Sequence, residues 1–326
     1  MQLETKFGPA SCRSLVGHER EYKIITSAAE NKHSSWLLCG QKGIGKASAA
    51  YMAIKHIFGA DKSAQQRRII EEQIASNNFL DLVVINDKEG VISVNDVRRI
   101  NGFLHSTPAF SKWRIVLIDS IDCMSHSAIN AMLKILEEPP DHSLFFLISH
   151  RPGVLPATIK SRCFRVNFAA LTDSEVMRVL PSCIDGNDGG GSVAKILPMA
   201  GGSPGVALSL LDFNADDLYC DFLSMISARR IDYDKIESFD LNSELWPVVL
   251  VIAWFLLNRI IKVSARVEVG AEIMQGEFSV LEDISRRYAI QSFIEEWVKL
   301  DQNLHLVNDL SLSRNQVLIE FFRCLF

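Results

Sequence analysis

The apolar positions of this chain fall into two regimes. As far as about residue 168, short runs that are apolar throughout alternate with longer stretches whose apolar positions recur at helical spacing. The runs are Trp36–Cys39, Leu82–Ile85, Ile115–Ile118, Leu144–Ile148 and Cys163–Phe168. Runs apolar on both faces are the mark of strands covered on both sides, so the alternation predicts an α/β fold on a parallel sheet. Helices are predicted over Ala47–Phe58, Val94–Leu104 and Ser127–Glu138, the last opened by a serine cap and stopped by Pro139-Pro140. Beyond 168 the strand-like runs cease. Asp185–Ser192 (DGNDGGGS), holding four of the 18 glycines, reads as a surface loop, and Gly201–Gly205 as a break before the helical run Val206–Leu211. Leu245–Ile261, Ile284–Leu300 and Gln316–Leu325 read as amphipathic or wholly apolar helices that must be buried. The pattern divides the chain into an α/β domain at 1–168, a small helical module at 169–211 and a helical domain at 212–326.

Composition narrows this picture only in places. At 326 residues with 48% hydrophobic and 22% charged positions, two or three globular domains are expected. The net charge of -5 supplies no basic footprint for direct nucleic-acid binding. Seven cysteines, at 12, 39, 123, 163, 183, 220 and 324, include no C-x-x-C pair, which argues against zinc and disulfides and for a reducing cytoplasm. The opening MQLETKFGPASCR carries no secretory signal pattern. The longest apolar run, Leu245–Leu257, is interrupted by Asn258 and Arg259 and falls short of the ~18 residues of a membrane span. A buried helix is expected there, with no membrane partner.

The candidate chemistry lies after the first run. Gly40, Gly43, Gly45 and Lys46 form a G-x-x-x-x-G-K loop between a predicted strand and a predicted helix, where backbone N–H groups and a helix N-terminus surround phosphates. Working phosphate-loop enzymes need a hydroxyl after the lysine to hold magnesium and acidic groups at the end of a second strand. Here Ala47 follows Lys46, and Ser48 is turned about 100° round the helix. The second strand ends in Asp119, a potential metal ligand, but Ser120 follows it and is no base near neutral pH. Asp122 is the substitute to consider, although strand-end alternation does not aim it into the same site. The residues point to ATP or ADP binding at most, with no cofactor required and no turnover.

Asn130–Pro140 (NAMLKILEEPP), the strand after it and Thr158–Cys163 (TIKSRC) together resemble the clamp-loader branch of the AAA+ proteins, over roughly residues 10–211. The resemblance implies a P-loop AAA+ domain with a parallel sheet, a small helical lid module and an all-helical C-terminal collar. It implies a non-hydrolysing subunit working beside motor subunits and a clamp-opening subunit, on a sliding clamp and primed DNA. Motor subunits carry an arginine in the stretch that is Gly202–Val206 here, and neither Gly205 nor Val206 supplies one. The four zinc cysteines of many members have no counterpart in Gly59–Leu82. Arg162 matches the arginine finger supplied in trans to a neighbour's γ-phosphate; on spacing alone it reads as an ion-pairing residue at a strand entrance. Ser149 stands at a polar sensor position or is a turn residue, and Val16–Glu19 resembles an adenine-lining segment or is a plain loop. Lys160 and Arg165 read as surface charge, while Glu137 and Glu138 receive no role. Two alternatives stay open: an active ATPase rescued by Ser48 and Asp122, and a purely structural interaction protein.

Overall fold

The computed structural model describes residues 8–30, 33–86, 90–180, 190–241, 244–299 and 314–326. They form two compact units, one of residues 1–185 with 202–205 and one of 186–201 with 206–326.

The first unit is a five-stranded sheet. Its strands are β1 (Ser35–Cys39), β2 (Leu82–Asn86), β3 (Arg114–Asp119), β4 (Ser143–Ser149) and β5 (Phe164–Asn167), in the order β2-β3-β4-β1-β5. Every pairing is parallel, with Leu37 opposite Leu147, Ile118 opposite Leu147 and Leu37 opposite Arg165. Parallel strands need crossovers, and helices supply them on both faces. On one face α1 (Glu19–Thr26), α2 (Lys46–Gly59) and α3 (Ala64–Ala75) cover Trp36, Leu38, Ile115, Leu117, Phe146 and Ile148. On the other α4 (Val94–Leu104), α5 (His126–Glu137) and the single turn α6 (Ala157–Lys160) cover Leu37, Val116, Ile118, Phe145 and Leu147. Successive strand residues thus alternate between two cores, which is why the runs are apolar throughout.

Helix starts follow local chemistry. Ser63 and Gln66 form a capping box at α3, Ser93 and Asp96 one at α4, and Ser125 caps α5 by accepting from Ala128 N at 3.2 Å. The buried Asp81 accepts from the N–H groups of Ala109, Phe110 and Ser111 at 2.6, 2.7 and 2.8 Å, fixing the turn that feeds β3. Helix α7 (Asp173–Val179), with a Thr172–Glu175 capping box, completes the first unit's described helices.

The regular elements of the second unit are all helices among the described residues. Its elements are α8 (Gly190–Ala200), α9 (Pro204–Asp212, whose first two residues belong to the first unit), α10 (Ala215–Ala228), α11 (Tyr233–Leu241), α12 (Trp246–Ser264), α13 (Glu277–Arg287), a helical stretch at 290–299 and α14 (Arg314–Leu325). The glycine-rich loop read at Asp185–Ser192 falls mostly outside the described residues, and its last three positions open α8. Two expectations are corrected. The helix read across Ile284–Leu300 is broken after Arg287, where Tyr288 turns extended (φ -125°, ψ 149°) and sets its ring edge-on to Phe293. The apolar run at 245–257 continues through Asn258 and Arg259 into the 19-residue α12, long and apolar enough to cross a membrane by length and composition. Val249, Ile252, Ala253, Leu256, Leu257 and Ile260 of that helix are nevertheless buried within its own unit. It is a core helix.

The largest charged group in that core is a triad. Arg259 lies 2.5 Å from Glu277, whose carboxylate also accepts from Tyr219 Oη at 2.5 Å and Ile273 N at 2.7 Å. Arg259 further donates to Ala271 O at 3.0 Å and stacks over Phe255 and Phe278. Burial and the Glu277 charge push the Tyr219 phenol well above its usual range, so it stays a hydrogen-bond donor.

Candidate functional site

The site begins where β1 runs into α2. Gly45 adopts φ +104° as the cap of α2, a conformation open to glycine and strained for other residues. Around Gly40, Gly43 and Gly45 five consecutive carbonyls, 40 to 44, each accept from a donor elsewhere in the unit. Lys46 Nζ donates to Gly40 O and Gln41 O at 2.8 and 2.6 Å, Ser203 Oγ to Lys42 O at 2.9 Å, Gly205 N to Gly43 O at 3.0 Å, and His18 Nε2 to Ile44 O at 2.9 Å. In a trans peptide each following N–H points away from its carbonyl, so the N–H groups of 41 to 45 are not aimed at those donors.

Lys46 is 2% exposed, and burial pulls its ammonium pKa down from 10.5 to about 8, against the opposing pull of Asp119 and Asp122. At neutral pH it is still mostly charged, with its ammonium clamped on the loop. The methyl of Ala47 packs against the core cluster and presents no oxygen. His18 is buried edge-on against Phe168 at 4.9 Å, so the Val16–Glu19 segment folds directly onto the loop.

Asp119 ends β3 within electrostatic reach of Lys46, with Oδ1 3.9 Å from His150 Nε2. Lys46 and Asp119, both singled out from sequence, are therefore brought together. The groups beyond Asp119 are committed elsewhere. Ser120 is 1% exposed; its hydroxyl donates to Asp122 Oδ2 at 2.9 Å and accepts from Asp122 N. Asp122 also accepts from Ser149 Oγ at 2.7 Å and from His150 N at 2.5 Å. This carboxylate clasps the end of β4 to the turn after β3. Sequence reading weighed Asp122 as a water-activating group and Ser149 as a sensor or turn residue; they are partners in one structural clasp.

The stretch Gly202–Gly205 braces the loop. A Cβ added at Gly205 would lie 2.8 Å from Gly43 Cα, so the close approach excludes any side chain there. Sequence reading found the missing arginine but not this contact, because its donors and acceptors are 161 positions apart at Ser203 and Lys42.

Arg162 lies apart, at the end of α6. Its Nη1 donates to Thr158 O at 2.9 Å and its Nη2 pairs with Glu137, the last residue of α5. About a third of its side chain, 31%, is exposed. Lys160 reaches Pro152 O at 3.3 Å, and Arg165 donates to Asn167 Oδ1 at 2.7 Å. The partly buried thiol of Cys163 is pushed up to about 12 by desolvation and is no nucleophile. Among the described residues, no three metal-capable side chains converge.

Residues 17–172 match the family described as "DNA polymerase III, delta subunit". Among curated proteins, DNA polymerase III subunit gamma of Buchnera aphidicola is 30% identical over 218 residues, covering 64% of this chain and 60% of that protein. Subunit tau of Bacillus subtilis is 30% identical over 63% of this chain and 38% of its own length, and Escherichia coli subunit tau 30% over 55% and 28%. The matched part thus spans between 28% and 60% of the length of these relatives. Among solved structures, a gamma subunit-related protein from Thermotoga maritima is similar at 18% identity and a TM-score of 0.47, over 93% of this chain and 98% of that one.

Proposed function

We propose, from the premise that over residues 17–172 this chain is a member of the bacterial DNA polymerase III clamp-loader family of AAA+ proteins, that it is a delta-prime-like subunit whose own site does not turn over nucleotide. It joins motor subunits and a clamp-opening subunit in the cytoplasm, helps load a sliding clamp onto primed DNA, and lends Arg162 to a neighbour. One observation carries the non-hydrolysing part: the position after Asp119 holds a buried serine bonded to Asp122, and Asp122 is saturated by Ser149 and His150. Ser120 and Asp122 are thus engaged with each other and with β4 rather than poised to take a proton from water, as a general base must be. Ala47 removes the magnesium-holding hydroxyl as well. The glycine loop before α2 supports ADP or ATP binding without turnover. Arg162 fits a finger because its guanidinium is planar, always charged and partly exposed beside α6. The helical second unit then serves as the collar.

The gamma and tau names of the curated relatives favour a second reading, a motor-type subunit that hydrolyses ATP. Clamp- and DNA-stimulated ATPase separates the two, measured for the isolated chain and for the assembled loader with wild type, Lys46→Ala and Arg162→Ala. The proposal expects no turnover by the isolated chain and a loss of about 10³-fold or more at the neighbour's site in Arg162→Ala. Turnover by the isolated chain that vanishes in Lys46→Ala establishes the motor reading instead.

A further inference from the structure

Glu137 had no role on sequence grounds, and its position makes its presence harder to explain: a carboxylate in the last turn of α5 opposes the helix dipole. What it gains is Arg162, 25 positions away. The guanidinium is held from two elements at once, Nη1 by the carbonyl of Thr158 in the single turn α6 and Nη2 by Glu137 Oε1. The carbonyl lacks a following helical turn to bond with, so the arginine caps it. Pro139-Pro140 stop α5 directly after Glu138, which keeps the anchor at the helix end.

We infer that Glu137 is a positioning residue for Arg162: it holds the guanidinium in one orientation before a neighbour's phosphate arrives, and yields it on contact. This rests on the finger reading above. Two features fit holding followed by release. The pair is open to solvent, with 48% of the Glu137 side chain exposed, and exposed ion pairs are weak enough for a polyphosphate to displace. The contacts made also leave Nε–H and one hydrogen of Nη2 for phosphate oxygens. Glu138, one residue on, makes no contact with Arg162 and serves as the matched control.

The test is a double-mutant cycle in the assembled loader, reading kcat and KM for ATP with Glu137→Ala, Glu137→Gln, Glu138→Gln, Arg162→Ala and the Glu137→Ala/Arg162→Ala pair. Thermal unfolding of each variant checks the fold. Glu137→Ala and Glu137→Gln are expected to lower kcat about two- to fivefold, the range of an exposed ion pair, with KM unchanged. Glu138→Gln should change nothing, and Glu137→Ala should add nothing to Arg162→Ala. A Glu137 effect that persists in the Arg162→Ala background overturns the inference, as does an unaltered Glu137→Ala loader in which Arg162→Ala is impaired. If Arg162→Ala leaves turnover intact, the finger reading falls first and the inference with it.

Discussion

Lys46 carries a pH signature that tests the loop chemistry at the scale of one side chain. Its ammonium titrates near 8 in the folded chain and near 10.5 when unfolded, so between those values the unfolded state binds more protons. Folding stability from this group therefore rises as pH increases from about 8 to 10.5 and is flat below 8. Chemical denaturation of wild type against Lys46→Met across pH 7 to 10.5 should show wild type gaining relative to the variant only in the upper part of that range. A constant difference would mean that the ammonium is not desolvated on the loop. Asp122 makes a second residue-scale case. Asp122→Ala leaves Ser149, Ser120 and the His150 N–H without their acceptor, and should destabilise the chain by about 2–4 kcal/mol in urea titrations. A catalytic carboxylate would instead lower turnover with little change in midpoint.

Among the elements, the strands were legible because burial on both faces leaves no polar position to blur the run, as in Leu144–Ile148 between its neighbours β1 and β3. The observed strands differ from the runs only at their ends: the first four add residues such as Ser35 and Arg114, and β5 loses Cys163 and Phe168. The break after Arg287 was not legible, since neither Tyr288 nor Ala289 is a helix breaker and the ring contact with Phe293 decides it. In the site, Lys46, Asp119 and the loop glycines could be read locally. The bracing by Gly202–Gly205, the Asp122 clasp and the Glu137–Arg162 pair could not, because each joins residues distant in sequence. The bracing has its own test at this scale. Gly205→Arg introduces a charge at this close approach, yet even its Cβ meets the Gly43 backbone at 2.8 Å. It should lower stability by about 1–3 kcal/mol and leave nucleotide affinity no tighter, as read by thermal unfolding with and without ADP.

For the whole molecule, each of the two units has its own buried core, so calorimetry should resolve a contribution from each. Glu277→Ala strands the buried Arg259 guanidinium and should lower the second unit's transition, by about 3–5 kcal/mol. Asp122→Ala should lower the other. Movement of a single common transition by both would show one cooperative unit.

On the non-hydrolysing reading, the Asp122 clasp also bears on what turnover would require of this site. Placing a serine at position 47 asks little of its surroundings. Placing a glutamate at 120 puts a second carboxylate beside Asp122 in a spot that is 1% exposed, and takes away the hydroxyl that Asp122 now accepts. Such a variant crowds two carboxylates at the end of β3, while Ser149 and His150 still hold Asp122. On the non-hydrolysing reading the two positions are therefore unequal: serine at 47 meets no obstacle, whereas glutamate at 120 is opposed by the packing and charge around Asp122.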